Sequence, residues 1–219
     1  YATQEEKKVN LIREETKKEL KELFKSKLKD VVEILFFKAD EKECKSCVYI
    51  EKLLREVCSL NEKLKYLIFD YKSEKAKSYR INTAPVILFK QKPNIRFLGI
   101  PSGYEFSVFI EDILRISRNE IDLKIETLRK IMKIKKPTHI MVFVTSACPY
   151  CPSMVKLAHM FAFINPNILA EGINALDFRK LAEEWNVMAV PKVVINKKIE
   201  IEGAYPEEVF VDYLLKAVE

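Results

Sequence analysis

The chain has 219 residues, 48% of them hydrophobic, and sets 38 Lys and Arg against 32 Asp and Glu for a net charge of +6. That supplies one large core or two of about 100 residues each, and four glycines and nine prolines exclude a low-complexity chain. No apolar run nears the roughly 18 residues of a membrane-spanning helix, and no basic patch is interleaved with aromatics, so neither a membrane nor a nucleic acid is an expected partner.

Tyr1-Ala2-Thr3-Gln4-Glu5-Glu6-Lys7-Lys8 is polar and unlike a secretory signal, so a cytoplasmic setting is expected. Heavy Lys and Glu usage with two glutamines resembles thermophile composition. Residues 4–29 read as an amphipathic helix, with Val9, Ile12, Leu20, Leu23, Phe24 and Leu28 as its apolar stripe. Val31–Phe37 reads as a buried strand. The polar loop Lys38–Glu43 leads to Cys44-Lys45-Ser46-Cys47, and Val48, Ile50, Leu53, Leu54 and Val57 continue as a helix. Then come a strand at Tyr66–Asp70, a helix around Lys72–Tyr79, the proline-led run Pro85–Phe89, a strand carrying Gly99, and a helix with Phe106, Phe109 and Ile110.

The order then repeats. A leading helix over 121–134 precedes a strand, Ile140–Val144, and Thr145-Ser146-Ala147-Cys148-Pro149-Tyr150-Cys151-Pro152. Met154, Val155, Leu157, Ala158, Met160 and Phe161 follow at helical spacing. Ala175-Leu176-Asp177 ends a strand, Phe178–Trp185 is a helix, and Pro191 leads Lys192–Ile195. A strand carrying Gly203 precedes a helix with Phe210, Tyr213 and Leu214. Cys148 stands 104 positions after Cys44, Pro85 lies 41 after Cys44, and Pro191 lies 43 after Cys148. Such a period predicts two α/β domains, 1–118 and 119–219, divided near Ser117–Glu120.

The cysteine pairs carry the chemistry. At a helix N-terminus unpaired N–H groups and aligned peptide dipoles favour a thiolate, which predicts a lowered pKa and a nucleophilic role for Cys148. Cys151, one turn on, is placed to close a disulfide with it. Pro152 fits a first helical turn, where its missing donor costs little. A pair of small buried apolar residues and half of a zinc site are the other readings of this motif. Pro85 and Pro191 cannot donate to a sheet ladder. Cis bonds at Ala84-Pro85 and Val190-Pro191 are expected, leaving the backbone of Ala84 and Val190 open to an extended substrate strand beside each pair. Cys58 reads as a small buried hydrophobe, and His139 and His159 read as structural.

Strand, Cys-x-x-Cys helix, strand, helix, proline-led strand, strand, helix resembles a thioredoxin fold. Two of them in one chain resemble the protein disulfide oxidoreductases of hyperthermophiles, a glutaredoxin-like family of tandem thioredoxin domains. The likeness is sharpest over Phe143–Pro152, Trp185–Lys192 and Glu202–Glu207. It implies two tandem thioredoxin-like domains, each a central mixed sheet flanked by helices, and redox exchange with protein disulfides: reduction, oxidation and isomerisation. It also implies Cys44 and Cys148 as attacking thiols, Cys47 and Cys151 as resolving thiols, cis Pro85 and Pro191, and no cofactor or metal. Expected partners are protein disulfides and dithiols and a thioredoxin-reductase-like flavoprotein. Thioredoxins carry a buried acid six residues before the first cysteine; here those positions are Lys38 and Val142, so the motif names no proton acceptor.

Two other functions compete. The chain would be an electron relay between a separate flavoprotein and a peroxidase, or a zinc or iron–sulfur protein using four thiolates. Between the two sites the second is expected to dominate, because the acidic run Asp40-Glu41-Lys42-Glu43 before Cys44 disfavours a thiolate there.

Overall fold

A computed structural model describes residues 10–219 of the protein. The start of the helix expected over 4–29, with Val9, lies outside them. Within them the helix begins later, at α1 (Glu14–Lys27), because Arg13 is extended. The N–H groups of Leu11 and Ile12 donate instead to the Glu56 carboxylate, at 2.9 and 3.0 Å. Burial alone would raise the Glu56 pKa; these two donors and Lys17 outweigh it and leave it lowered.

The first half continues as β1 (Val32–Lys38), α2 (Lys45–Cys58), β2 (Leu64–Asp70), α3 (Glu74–Ser78), β3 (Val86–Phe89), β4 (Lys92–Leu98) and α4 (Glu105–Arg118). The second runs α5 (Ile125–Met132), β5 (Thr138–Val144), α6 (Cys151–Ile164), β6 (Ile168–Asn174), α7 (Arg179–Glu184), β7 (Lys192–Ile195), β8 (Ile199–Glu202) and α8 (Glu207–Val218). The buried strands are β-branched and aromatic, as in Ile34-Leu35-Phe36-Phe37, and their alternate residues feed two cores. Ile34 and Phe36 pack among the six longer helices, whereas Leu35 and Phe37 pack with α3 and α7 on the opposite face.

All eight strands form one mixed sheet, in the order β2-β1-β3-β4-β6-β5-β7-β8. The two expected central sheets are thus fused. β4 and β6 pair in parallel, with Ile95 opposite Ala170 and Phe97 opposite Gly172. The joint is head to tail: the first half offers its last strand, the second the strand equivalent to β2. Helices reinforce it. Buried Asp112 on α4 meets His159 Nδ1 on α6 at 2.6 Å and also pairs with Arg115, while His159 Nε2 faces the Arg96 carbonyl at 3.2 Å. Asn94 donates to the Ala162 and Ile168 carbonyls at 2.6 and 2.8 Å.

Several local expectations shift. β6 ends at Asn174 rather than at Asp177, because the Asn174 side chain accepts the Leu176 N–H in a turn and its carbonyl accepts the Phe178 N–H. Gly99 and Gly203 lie just past β4 and β8, at φ of +97° and +95°, a region that favours glycine. His139 lies within β5, not before it, and bonds Glu171 at 2.7 Å.

Candidate active site

β1 and β5 point the same way: β1 runs antiparallel to β3, β3 antiparallel to β4, and β4, β6 and β5 are mutually parallel. Each cysteine pair follows the C-terminal end of its strand, so both lie on one edge of the sheet. They stand four strand positions apart, about 19 Å at the usual strand spacing. Both pairs are closed disulfides, Cys44–Cys47 and Cys148–Cys151.

In the second site α6 begins only at Cys151, with Tyr150 as N-cap and proline in the first turn. Cys148 therefore sits in the preceding turn rather than in the helix, its N–H bonded to Thr145 O at 3.2 Å. The helix end still reaches it, because the Cys151 N–H donates to Cys148 Sγ at 3.1 Å. Such a donor favours a thiolate over a thiol. Val190 O lies 3.8 Å from the same sulfur, directly before the cis Val190-Pro191 bond. In the first site Cys44 is itself the N-cap of α2. Its N–H bonds Asp40 O at 2.9 Å, and the Cys47 N–H reaches the Cys44 carbonyl at 3.3 Å. Glu43 pairs with Lys72 at 3.5 Å, which offsets part of the acidic charge here, while Lys38 is held by Glu51 of α2 at 2.9 Å. Ala84-Pro85 is also cis.

A loop of the first half braces the second site. Tyr104 N–H donates to Ser146 O at 3.0 Å, and the Ser102 and Ser146 hydroxyls share a hydrogen bond of 2.8 Å. Gly103 must be glycine: its φ is +60°, and a Cβ there would lie 2.2 Å from Ser146 O. Two residues on stands Glu105, 4% exposed, its two carboxyl oxygens without a hydrogen-bond partner. Burial, helped by nearby Asp112, pushes its pKa up to about 8. Glu105 is seven positions before Asp112 and on the same helical face, at the end of the α4–α6 contact that meets the Cys148 loop. A signal for these two buried acids existed in α4, where Glu105 and Asp112 share the apolar spacing of Val108, Phe109 and Ile116.

Cys58 is free and half-buried, less covered than expected, and burial pushes its thiol up to about 12. The four paired cysteines form two separate sites, which disfavours a shared four-thiolate metal centre; among the described residues no group of three or more His, Cys, Asp or Glu converges. His159 gains the partners that the sequence did not reveal. A cleft of about 1030 Å³ on the α3–α7 face is lined by Ala84 and Asp177 but by none of the cysteines. No helix among the described residues is long and apolar enough to cross a membrane.

Fold and site together give two thioredoxin-like halves, each with a closed Cys-x-x-Cys disulfide, the arrangement of dithiol–disulfide chemistry. Residues 138–216 match the model of a thioredoxin domain family. The chain is similar to a protein disulfide oxidoreductase from Aeropyrum pernix: 29% identity over 94% of this chain and 93% of that one, with a TM-score of 0.87. It is similar also to a solved structure of the alkyl hydroperoxide reductase AhpF from Enterococcus faecalis, at 25% identity and TM-score 0.84, over 93% of this chain and 99% of that one. Among curated sequences, the corresponding alkyl hydroperoxide reductase polypeptide of Staphylococcus aureus is 26% identical over 186 residues, 85% of this chain and 34% of that protein. The chain thus spans about a third of the length of such relatives.

Proposed function

We propose that the chain exchanges dithiols for disulfides on protein substrates through two units, 1–118 and 119–219, with Cys148 as the principal nucleophile. The observation that carries this is the Cys148 sulfur, held between the Cys151 N–H and Val190 O. In reduction the Cys148 thiolate attacks a substrate disulfide. A mixed disulfide forms and one substrate sulfur leaves as a thiolate, taking a proton. Cys151 loses its proton to Glu105 in its ionised form and attacks Cys148 Sγ. The second substrate thiol departs, and the enzyme is left as the disulfide with the substrate reduced by two electrons. Cys44 and Cys47 play the same parts in the first unit. Val190-Pro191 offers backbone to the polypeptide substrate strand, and Ala84-Pro85 is its counterpart in the first unit. A thioredoxin-reductase-like flavoprotein dithiol returns the two electrons, in the cytoplasm.

The likeness to alkyl hydroperoxide reductase AhpF favours a second reading, in which the same pair relays electrons from a flavoprotein to a peroxidase. Separate reduction potentials for the two pairs, with turnover measured on a polypeptide disulfide and on a peroxidase, test both. Turnover on the peroxidase alone would replace the first reading with the second. Two pairs that neither accept nor donate electrons between pH 6 and 9 would sink both.

A further inference from the structure

The two halves present their substrate edges very differently. In each, the residue past the last strand ties back to the proline loop beside the cysteines: Gly99 N–H donates to Pro85 O at 3.1 Å and Gly203 N–H to Pro191 O at 2.8 Å. Next to Gly203 there is open space, with nothing within 4 Å of where a Cβ would stand. Ala204 after it is exposed, and its N–H has no partner among the described residues. Gly99 instead is buried. A Cβ on it would lie 2.6 Å from Asp177 Oδ2 and 2.7 Å from Asn174 Cβ, both in the second half. Asp177 Oδ2 accepts the Ile100 N–H at 2.9 Å, and Asn174 Nδ2 reaches Ile100 O at 3.4 Å. The backbone groups that Ala204 leaves free are, at Ile100, already taken.

The cause is the head-to-tail joint. β4 pairs with β6, so the turn that follows β6 falls across the residues that follow β4; β8 has no such neighbour.

We propose that Asp177, with Asn174, is a specificity-determining residue that closes the first site to polypeptide substrates. Cys44–Cys47 then exchanges with small thiols and disulfides that need no backbone edge, and polypeptide disulfides enter through Cys148. The proposal rests on the dithiol-exchange reading above. Asp177 has an exposed side chain outside both disulfide loops, so trimming it alters cover without touching a cysteine.

The test uses the full chain with Cys148→Ser and Cys151→Ser, which leaves only the first site. Reduction of insulin is compared with reduction of bis(2-hydroxyethyl) disulfide, before and after Asp177→Ala. The expected result is a rise of about 10-fold in kcat/KM for insulin, with the small disulfide within about 2-fold. Asp177→Asn, which keeps an acceptor of the same shape over Gly99, should leave insulin turnover low. A rise in both substrates alike, no rise in insulin, or equal opening by Asn overturns the proposal. So does a first site inert to the small disulfide while the intact chain turns it over. If the intact chain fails on both substrates, the dithiol reading itself falls. Hydrogen exchange on the unaltered protein needs no variant: the Ile100 amide should exchange about 10-fold or more slower than the Ala204 amide, and equal rates would contradict the cover.

Discussion

Set beside each other, the two disulfide loops have the same fold and different surroundings. Cys148 follows a short loop, braced by Ser102 and Tyr104 of the other half, and its sulfur receives a helix N–H. Cys44 follows an acidic loop that depends on Lys72 for partial neutralisation. The first half therefore contributes a brace to the second site, whereas the second half gives the first a cover over Gly99. Duplicated units need not stay equivalent once a head-to-tail joint gives each a different neighbour.

The contrast is broken most severely at the nucleophiles. Cys148→Ser should lower reduction of insulin by about 1,000-fold or more, while Cys44→Ser should cost less than about 3-fold. Steady-state kcat/KM for insulin on the two variants decides this, isomerisation following Cys148 as reduction does; a greater loss from Cys44→Ser would mean that the longer loop helps its cysteine. Next comes the joint itself. Asp112→Ala leaves Arg115 and His159 buried without their carboxylate and should destabilise by about 3–5 kcal/mol. Denaturant unfolding should then show the two halves losing cooperativity, and an unchanged midpoint would count against the joint.

Smaller effects sharpen the comparison. Glu105→Gln should slow resolution of the Cys148 mixed disulfide by about 100-fold above pH 8 and remove the rise in rate centred there, leaving the first site unaffected; rapid-quench kinetics across pH would show it. The same change has a stability signature. In the folded chain Glu105 holds its proton up to about 8, against an ordinary value of 4.5. Its contribution is therefore full below pH 4.5 and is lost as the pH rises through 8. At about 1.4 kcal/mol per pKa unit, the variant should be spared a loss of a few kcal/mol across that window. Ser102→Ala should have the least effect, about 1 kcal/mol of stability from one hydrogen bond. It should shift the potential of the Cys148 pair and not that of the Cys44 pair; a shift in both would remove the brace from the account.

Much of this was legible in the chain. Strand, cysteine pair and helix recur because burial imposes apolar periodicity on each element, and both proline loops stand at matching offsets. What escaped was held by partners distant in sequence. Nothing local to Arg96 or Gly172 says that β4 and β6 share hydrogen bonds, since each strand alone would also suit the edge of a separate sheet. His159 meets Asp112 from 47 positions away. Glu105 and Asp112 were readable as acids on an apolar face, but not as groups packed against α6 far along the chain. Asn174 looked like strand interior because the turn that ends β6 is made by its own side chain.

The joint also leaves the sheet with two unlike rims. One is β2 and the other β8, and these are the same two kinds of edge that pair internally as β6 and β4. A β8 rim of one molecule thus matches the β2 rim of the next, and such head-to-tail contacts propagate without closing. Charge stands against that growth. Glu200 and Glu202 point outward from β8, and Lys65 and Asp70 mark β2, so joining two rims would desolvate ionised side chains along the seam. The acidic pair on β8 answers Lys192 across the strand, and a neighbour's β2 laid along it would strip water from both carboxylates.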